Sequence, residues 1–149
     1  MAKDYDPPMH TAEHVLNQTM IRLFGTGRNF SAHLNKGKSK CDYRFSRDLS
    51  EDEARLLEDK VNEILALDLP VKEEFVPLAE ASELVNIAKL PQEVQDNPDS
   101  RVRLVRIGDY DLCPCIGSHV ERTSQAAPFK LISHSFSEPD VLRLRFKVG

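Results

Sequence analysis

Apolar residues recur at spacings of three and four along residues 9–24, where Ala12, Leu16, Met20 and Leu23 make one stripe of a helix. Asp6-Pro7-Pro8 opens it, since proline fits a first turn whose N–H would be unpaired anyway. Gly25-Thr26-Gly27 closes it, with glycine where a left-handed cap is needed. Residues 29–34 and 40–46 read as two strands joined by the polar, glycine-containing run Asn35-Lys36-Gly37-Lys38-Ser39. On the first of them Ser31 and His33 share one side, and Phe30, Ala32 and Leu34 the other. Ser50-Glu51-Asp52-Glu53 is a capping box that starts a second helix through Leu57, Val61, Ile64 and Leu65, ending before Leu69-Pro70. A strand over residues 71–76, a short helix over 79–88 and a loop over 90–100 follow. Further strands are predicted at 101–107, 110–115 and 129–135. The last strand alternates without exception, Leu142, Leu144, Phe146 and Val148 facing one way and Arg143, Arg145 and Lys147 the other. Irregularly interleaved helices and hairpins predict an α+β fold with a mainly antiparallel sheet packed against helices.

At 149 residues, the prior is one domain spanning 1–149, large enough for a hydrophobic core. Neither a repeat nor a low-complexity tract breaks the chain. No run of 18 apolar residues exists, which predicts no membrane span. Met1-Ala2-Lys3-Asp4 leads into no apolar segment of a secretory signal. Three cysteines, an odd number without framework spacing, argue against a secreted disulfide scaffold and for a cytoplasmic protein. The net charge of −4 hides a split. Residues 1–46 carry seven basic against four acidic side chains, residues 47–100 five against fifteen, and residues 101–149 eight against five. Basic ends around an acidic middle suit a polyanionic ligand on one face, or simply a solvated charged surface.

Two short motifs carry the candidate chemistry. His10-Thr11-Ala12-Glu13-His14 places two imidazoles one helical turn apart, on a face turned away from the Leu16–Leu23 stripe. They read as metal ligands or as two solvated histidines. Glu13 does not make this a zincin, which needs glutamate directly after the first histidine, where Thr11 stands. Cys115-Ile116-Gly117-Ser118-His119 offers a thiolate and an imidazole, both good zinc ligands. Taken alone, Cys115 reads equally as a small buried hydrophobe. Cys113, two residues earlier, is too near for an ordinary zinc knuckle. Together the motifs make a four-donor set, His10, His14, Cys115 and His119, with zinc favoured because it accepts mixed nitrogen and sulfur ligands.

These motifs, with Val120, the run Phe129-Lys130-Leu131-Ile132 and the closing strand, resemble the editing domain shared by alanyl- and threonyl-tRNA synthetases, and in particular the short free-standing alanyl-tRNA editing proteins. The resemblance implies one zinc ion held by both motifs, between the first helix and a later strand. It implies hydrolysis, in trans, of the ester of tRNA for alanine wrongly charged with serine or glycine. With the first motif at residue 10, the glycine-rich barrel of longer members and the ATP-dependent synthetase body are expected to be absent. Three stretches depart from the family pattern: its usual Cys-Gly-Gly-Thr-His is Cys115-Ile116-Gly117-Ser118-His119 here, its Thr-Gly-Glu-Ile-Gly is Thr123-Ser124-Gln125-Ala126-Ala127, and Phe30 lies near where a glutamine is common.

Ester hydrolysis at zinc needs an open coordination position, whereas four protein ligands make a closed, structural site. Either Cys115 or His119 is then exchangeable, or the ion shapes the pocket. Thr11, Ser118 and Ser31 are candidates to contact the amino acid or orient water, and His33 to act as a general base. For the tRNA partner, Lys36, Lys38, Lys40 and Arg44 surround the first hairpin, and Arg143, Arg145 and Lys147 form a ladder suited to phosphates. Two other functions fit the same residues: a zinc-containing tRNA-binding module without catalysis, and a zinc-dependent hydrolase of a small ester or amide.

Overall fold

A computed structural model of the protein describes residues 6–87 and 90–149. The first residues, read above for a secretory signal, lie outside it, as does residue 88, where the third predicted helix was to end. Helix α1 spans Pro7–Phe24, with the Asp6 carboxylate accepting from the Met9 amide at 3.2 Å and Gly25 at φ 67° closing the other end. Strands β1 (Ser31–His33) and β2 (Ser39–Arg44) form the expected hairpin. Helix α2 (Glu51–Ala66) starts on the complete capping box: Ser50 Oγ accepts from the Glu53 amide and the Glu53 carboxylate from the Ser50 amide.

The expected sheet divides in two. One has the order β1-β2-β7-β6, with β6 at Phe129–Ser137 and β7 at Val141–Val148, all neighbours antiparallel. Its inner face buries Cys41, Tyr43, Leu142, Leu144 and Phe146 against α1 and α2. The alternation of β7 therefore has the meaning it has in a one-sided sheet, apolar inward and charged outward. A register shift between Leu131 and Ser133 marks a bulge in β6, the edge strand beside α2. The second sheet has the order β3-β4-β5, from β3 (Val71–Pro77), β4 (Arg101–Ile107) and β5 (Asp111–Pro114). It has a smaller core of Leu78, Ala81, Val102 and Leu104 under helix α3 (Leu78–Leu84). Among the described residues, no helix is long and apolar enough to cross a membrane.

Two elements were not expected. Helix α4 (Gln92–Asp96) lies within the predicted loop and buries no residue, so it leaves no periodic signal. A 3-10 turn at Thr123–Ala126 is pinned under the end of α2, where the buried Thr123 hydroxyl accepts from the Leu69 amide at 2.8 Å and donates to the Leu65 carbonyl at 3.0 Å. Gly108, at φ 49°, passes within 3.1–3.2 Å of the Leu69 side chain measured from where a Cβ would sit. Its conformation and its neighbour both favour glycine there.

Helix α1 is buried almost all round from Met9 to Asn17. Met9, Ala12, Leu16 and Met20 serve the main core, and the opposite face meets β5 and the chain that leaves it. The histidines are thus not solvated: His10 is 2% exposed and His14 3%.

Candidate metal centre

The two motifs meet. One ligand atom each from His10, His14, Cys115 and His119 lies within 4.8 Å of all the others, a cluster that could hold a metal ion. Cys115 Sγ is 3.2 Å from His10 Nε2 and 3.6 Å from His119 Nε2. The His10 and His119 rings stack with centroids 4.0 Å apart, and His14 stands edge-on to both. A helix supplies the first pair because a spacing of four returns to the same face. The second pair comes from a loop. Strand β5 ends at Pro114, and Cys115–His119 turns off the sheet toward α1.

Surrounding groups orient each donor. His10 Nδ1 donates to the Ser118 carbonyl at 3.0 Å, which fixes the tautomer and leaves Nε2 to face Cys115. Thr11 Oγ1 lies 2.9 Å from His119 Nδ1 and accepts from the Val120 amide at 3.2 Å. Arg103 shapes the loop by donating from Nη1 to the carbonyls of Cys115, at 2.8 Å, and Gly117, at 3.0 Å, while Glu73 neutralises it. Among the described residues the buried His14 Nδ1 has no hydrogen-bond partner, with Asp111 Oδ2 at 3.6 Å, beyond hydrogen-bonding length but near enough to act electrostatically.

The electrostatics suit an ion. Burial opposes ionisation of Cys115, yet the imidazoles of His10, His119 and His14 outweigh it and bring the thiol down to about 3. Burial, aided by the charges of His14 and His10 and partly offset by Cys115, takes His119 down to about 4. Burial works against protonation of His14 too, but Asp111, Cys115 and Glu13 prevail and lift it to about 9. The three imidazoles thus favour the thiolate form of Cys115, the form that binds a metal.

Sequence reasoning missed two carboxylates. Asp111, its side chain wholly buried, accepts from both Arg28 guanidinium nitrogens at 2.9 Å and from Gln18 at 2.9 Å. Burial pushes it up, but His14 and Arg28 hold it well below the usual carboxylate range. Glu13, set aside above because it does not fit a zincin, has Oε1 at 3.9 Å from His10 Nε2 and 3.8 Å from His14 Nε2, and Oε2 accepts from Asn29 at 2.9 Å. The presence of Glu13 inside the first motif was the available signal; Asp111 carried none.

Other expected site residues are placed differently. Thr11 is fully buried, and its hydroxyl faces His119 Nδ1 and the Val120 amide. Ser118 is exposed on the wall of a hollow of about 370 Å³ that adjoins His119 and is also lined by Lys72, Arg103 and Glu121. His33 is not at the metal centre: β1 turns it onto the outer face, beside Lys38, Lys40 and Arg145. Ser31, two residues earlier, shares that outward side opposite Asp42. Cys113 is a free, half-buried thiol, pushed up to about 12 chiefly by burial. Of the expected tRNA contacts, Arg44 is paired with Asp140 and Arg143 with Asp42.

Residues 102–145 match the family model of the threonyl and alanyl tRNA synthetase second additional domain. The chain is 32% identical to the alanine–tRNA ligase of Bacillus subtilis over 127 residues, 85% of this chain and 14% of that protein. It is 29% identical to the enzyme of Methanopyrus kandleri over 141 residues, 94% of this chain and 15% of the other. It is 30% identical to that of Treponema denticola, over 91% of this chain and 22% of the relative. The chain thus spans about a seventh to a fifth of the length of these relatives. It is related to a part of alanine–tRNA ligases, has an α+β fold, and over residues 102–145 matches their second additional domain.

Proposed function

We propose that this protein hydrolyses, in trans, the ester linking a wrong amino acid, serine or glycine, to tRNA for alanine, at a zinc ion held by His10, His14, Cys115 and His119. The observation that carries the reading is the convergence of these four donors from motifs about a hundred residues apart. A tetrahedral zinc with bonds of about 2.3 Å to sulfur and 2.0–2.1 Å to nitrogen has sulfur–nitrogen edges of about 3.5 Å. The edges from Cys115 to His10 and His119, 3.2 and 3.6 Å, bracket that value. When bound, zinc supplies Lewis acidity toward an ester carbonyl.

The chain's own groups do the rest. The Ser118 carbonyl and Thr11 hold the rings of His10 and His119 in register. Asp111 and Glu13 balance the charge around His14. The hollow beside His119 is large enough for an aminoacyl group, and the Ser118 hydroxyl on its wall can bond to the amino acid. Such a reaction belongs with the translation machinery of the cytoplasm. The test is release of serine or glycine from mischarged tRNA for alanine by the purified protein. His10→Ala is expected to lose both metal and turnover. No release from any mischarged tRNA by the metal-loaded protein overturns the reading.

A second reading has its own support. Four protein donors close a tetrahedral shell, and closed shells are structural. On that reading the protein binds tRNA and holds zinc without hydrolysing the ester, and the same assay separates the two.

A further inference from the structure

The outer face of the β1-β2-β7-β6 sheet is ordered in cross-strand rows. Directly opposed residues in antiparallel strands project to the same side, with their Cβ atoms about 5 Å apart. One row runs Ser31, Asp42, Arg143, Ser135, and there Asp42 accepts from Arg143 Nε at 2.8 Å and Nη2 at 3.0 Å. The next runs His33, Lys40, Arg145, Ser133, and beyond it Lys147 faces Lys130. Two pairs of like charges, Lys40 with Arg145 and Lys147 with Lys130, are thus placed directly opposite one another. Such pairs destabilise a sheet. Asp42 is the only carboxylate in these rows, and Arg143 holds both of its oxygens. Among the described residues, Lys38, Lys40, Lys130, Arg145 and Lys147 form no ion pair, unlike Arg44 and Arg143 on the same face. His33, Lys38, Lys40 and Arg145 also line one hollow of about 160 Å³.

The segment leading into β1 connects this face to the surroundings of the metal centre. Asn29, which donates to Glu13, precedes β1 by two residues. His33 follows Asn29 by four residues, a reach of at most about 13 Å. Between them stands Phe30, expected on the side opposite Ser31 and His33; it lies instead in a bend before β1, 40% exposed, with the Arg44 guanidinium of the outer face 3.9 Å from its ring centroid. An exposed aromatic beside a cationic track is what single-stranded nucleic acids bind, bases stacking on the ring and phosphates lying on the charges.

We propose that the row His33–Lys40–Arg145, with Lys38, Lys147 and Lys130 beside it and Phe30 at its inner end, is the docking track for the unpaired 3′ strand of the tRNA. The inference rests on the function proposed above. It divides the basic residues of the sequence into two sets: Arg44 and Arg143 hold the sheet's own carboxylates, while Lys40 and Arg145 await phosphates. It also gives His33 a place in binding rather than in the chemistry at the metal.

The test measures the affinity of the full chain for an unmodified transcript of tRNA for alanine as salt is raised. Removing two phosphate contacts with Lys40→Ala/Arg145→Ala is expected to flatten the slope of log affinity against log salt by about 1.4, the value for a single strand. Phe30→Ala is expected to weaken binding about tenfold, and Lys60→Ala, on α2, to leave the slope as it was. A transcript lacking its unpaired 3′ end is expected to compete poorly. An unchanged slope in the double variant, or equal competition by the shortened transcript, overturns the docking track.

If the double variant does not fold, acetylation of the wild type decides. Lys38 and Lys40 are then protected by the transcript and Lys60 is not, and equal labelling with and without RNA overturns the proposal. Hydrolysis of mischarged tRNA by the wild type is read in parallel. Turnover with an unchanged double-variant slope removes the track and keeps the function. Binding along the track without turnover removes the function and keeps the track. No binding at all removes both.

Discussion

The hydroxyl of Thr11 sits 2.9 Å from Nδ1 of His119, joining two residues 108 positions apart. The same oxygen accepts from the Val120 amide. For His119 to offer Nε2 to a metal, its Nδ1–H must donate to this oxygen, so Thr11, the residue after His10, sets the tautomer of His119.

Thr11→Val keeps the shape and removes the hydroxyl. Metal affinity, read by competition with a chromogenic chelator, is expected to fall 10–100-fold, the usual cost of losing a ligand's orienting partner. Thr11→Ser is expected to restore most of it. Equal affinities for the valine and wild-type proteins would show that His119 needs no such support.

Arg103 spans β4 and the ligand loop. Its Nη1 bonds to the carbonyls of Cys115 and Gly117, and Glu73 neutralises the charge. Arg103→Ala removes charge-assisted bonds of about 1.5–3 kcal/mol each. Metal affinity is expected to drop tenfold or more while the far-ultraviolet circular dichroism is kept, since the second sheet's core does not include this side chain.

Asp111 accepts three hydrogen bonds with a fully buried side chain. Asp111→Asn leaves Arg28 without its counter-ion in a largely buried setting. Urea denaturation is expected to show a loss of about 3 kcal/mol. A loss under 1 kcal/mol would mean that water already compensates Arg28.

Helix α2 begins on a carboxylate that acid can reach. The Arg47 guanidinium, with the Ser50 amide, pulls Glu53 down to about 2 from an ordinary value near 4.5. Its pKa is lower folded than unfolded, so its contribution is complete above about pH 4.5 and is lost as pH falls toward 2. Melting temperatures measured from pH 5 to pH 2 are expected to fall more steeply for the wild type than for Glu53→Gln, which keeps the capping geometry without the charge. Parallel curves would assign no such role to the Arg47–Glu53 pair.

Metal removal tests the centre as a whole. A ligand that binds only the folded state stabilises it by about 2.7 kcal/mol at a hundred times its dissociation constant. Dialysis against a chelator is expected to lower the melting temperature, and added zinc to restore it. A melting temperature indifferent to zinc would exclude tight binding at the four donors.

The parts of this fold that were legible in the chain are those set by neighbours in sequence. The capping box at Ser50 and Glu53, the glycine stop at Gly25 and the alternation of Leu142, Leu144 and Phe146 are local patterns, and each element formed where it was read. Helix α4 escaped because none of its five residues is buried, so no apolar period marks it. The split into two sheets escaped because strand order depends on which distant strands pair. The four clustered donors were legible because His-x-x-x-His and Cys-x-x-x-His each carry a spacing of their own. Their surroundings were not. A lone aspartate such as Asp111 has no pattern until folding brings it to His14, Arg28 and Gln18.

The sequence by itself therefore determined which side chains can bind a metal and which faces of its helices and strands are apolar, because those follow from residue type and a period of two or 3.6. Tertiary structure decided that His10 and His14 are buried, that Thr11 serves His119, and that Lys40 and Arg145 stand unpaired while Arg143 does not. Each of these depends on register between segments far apart in the chain, and long-range packing alone sets that register.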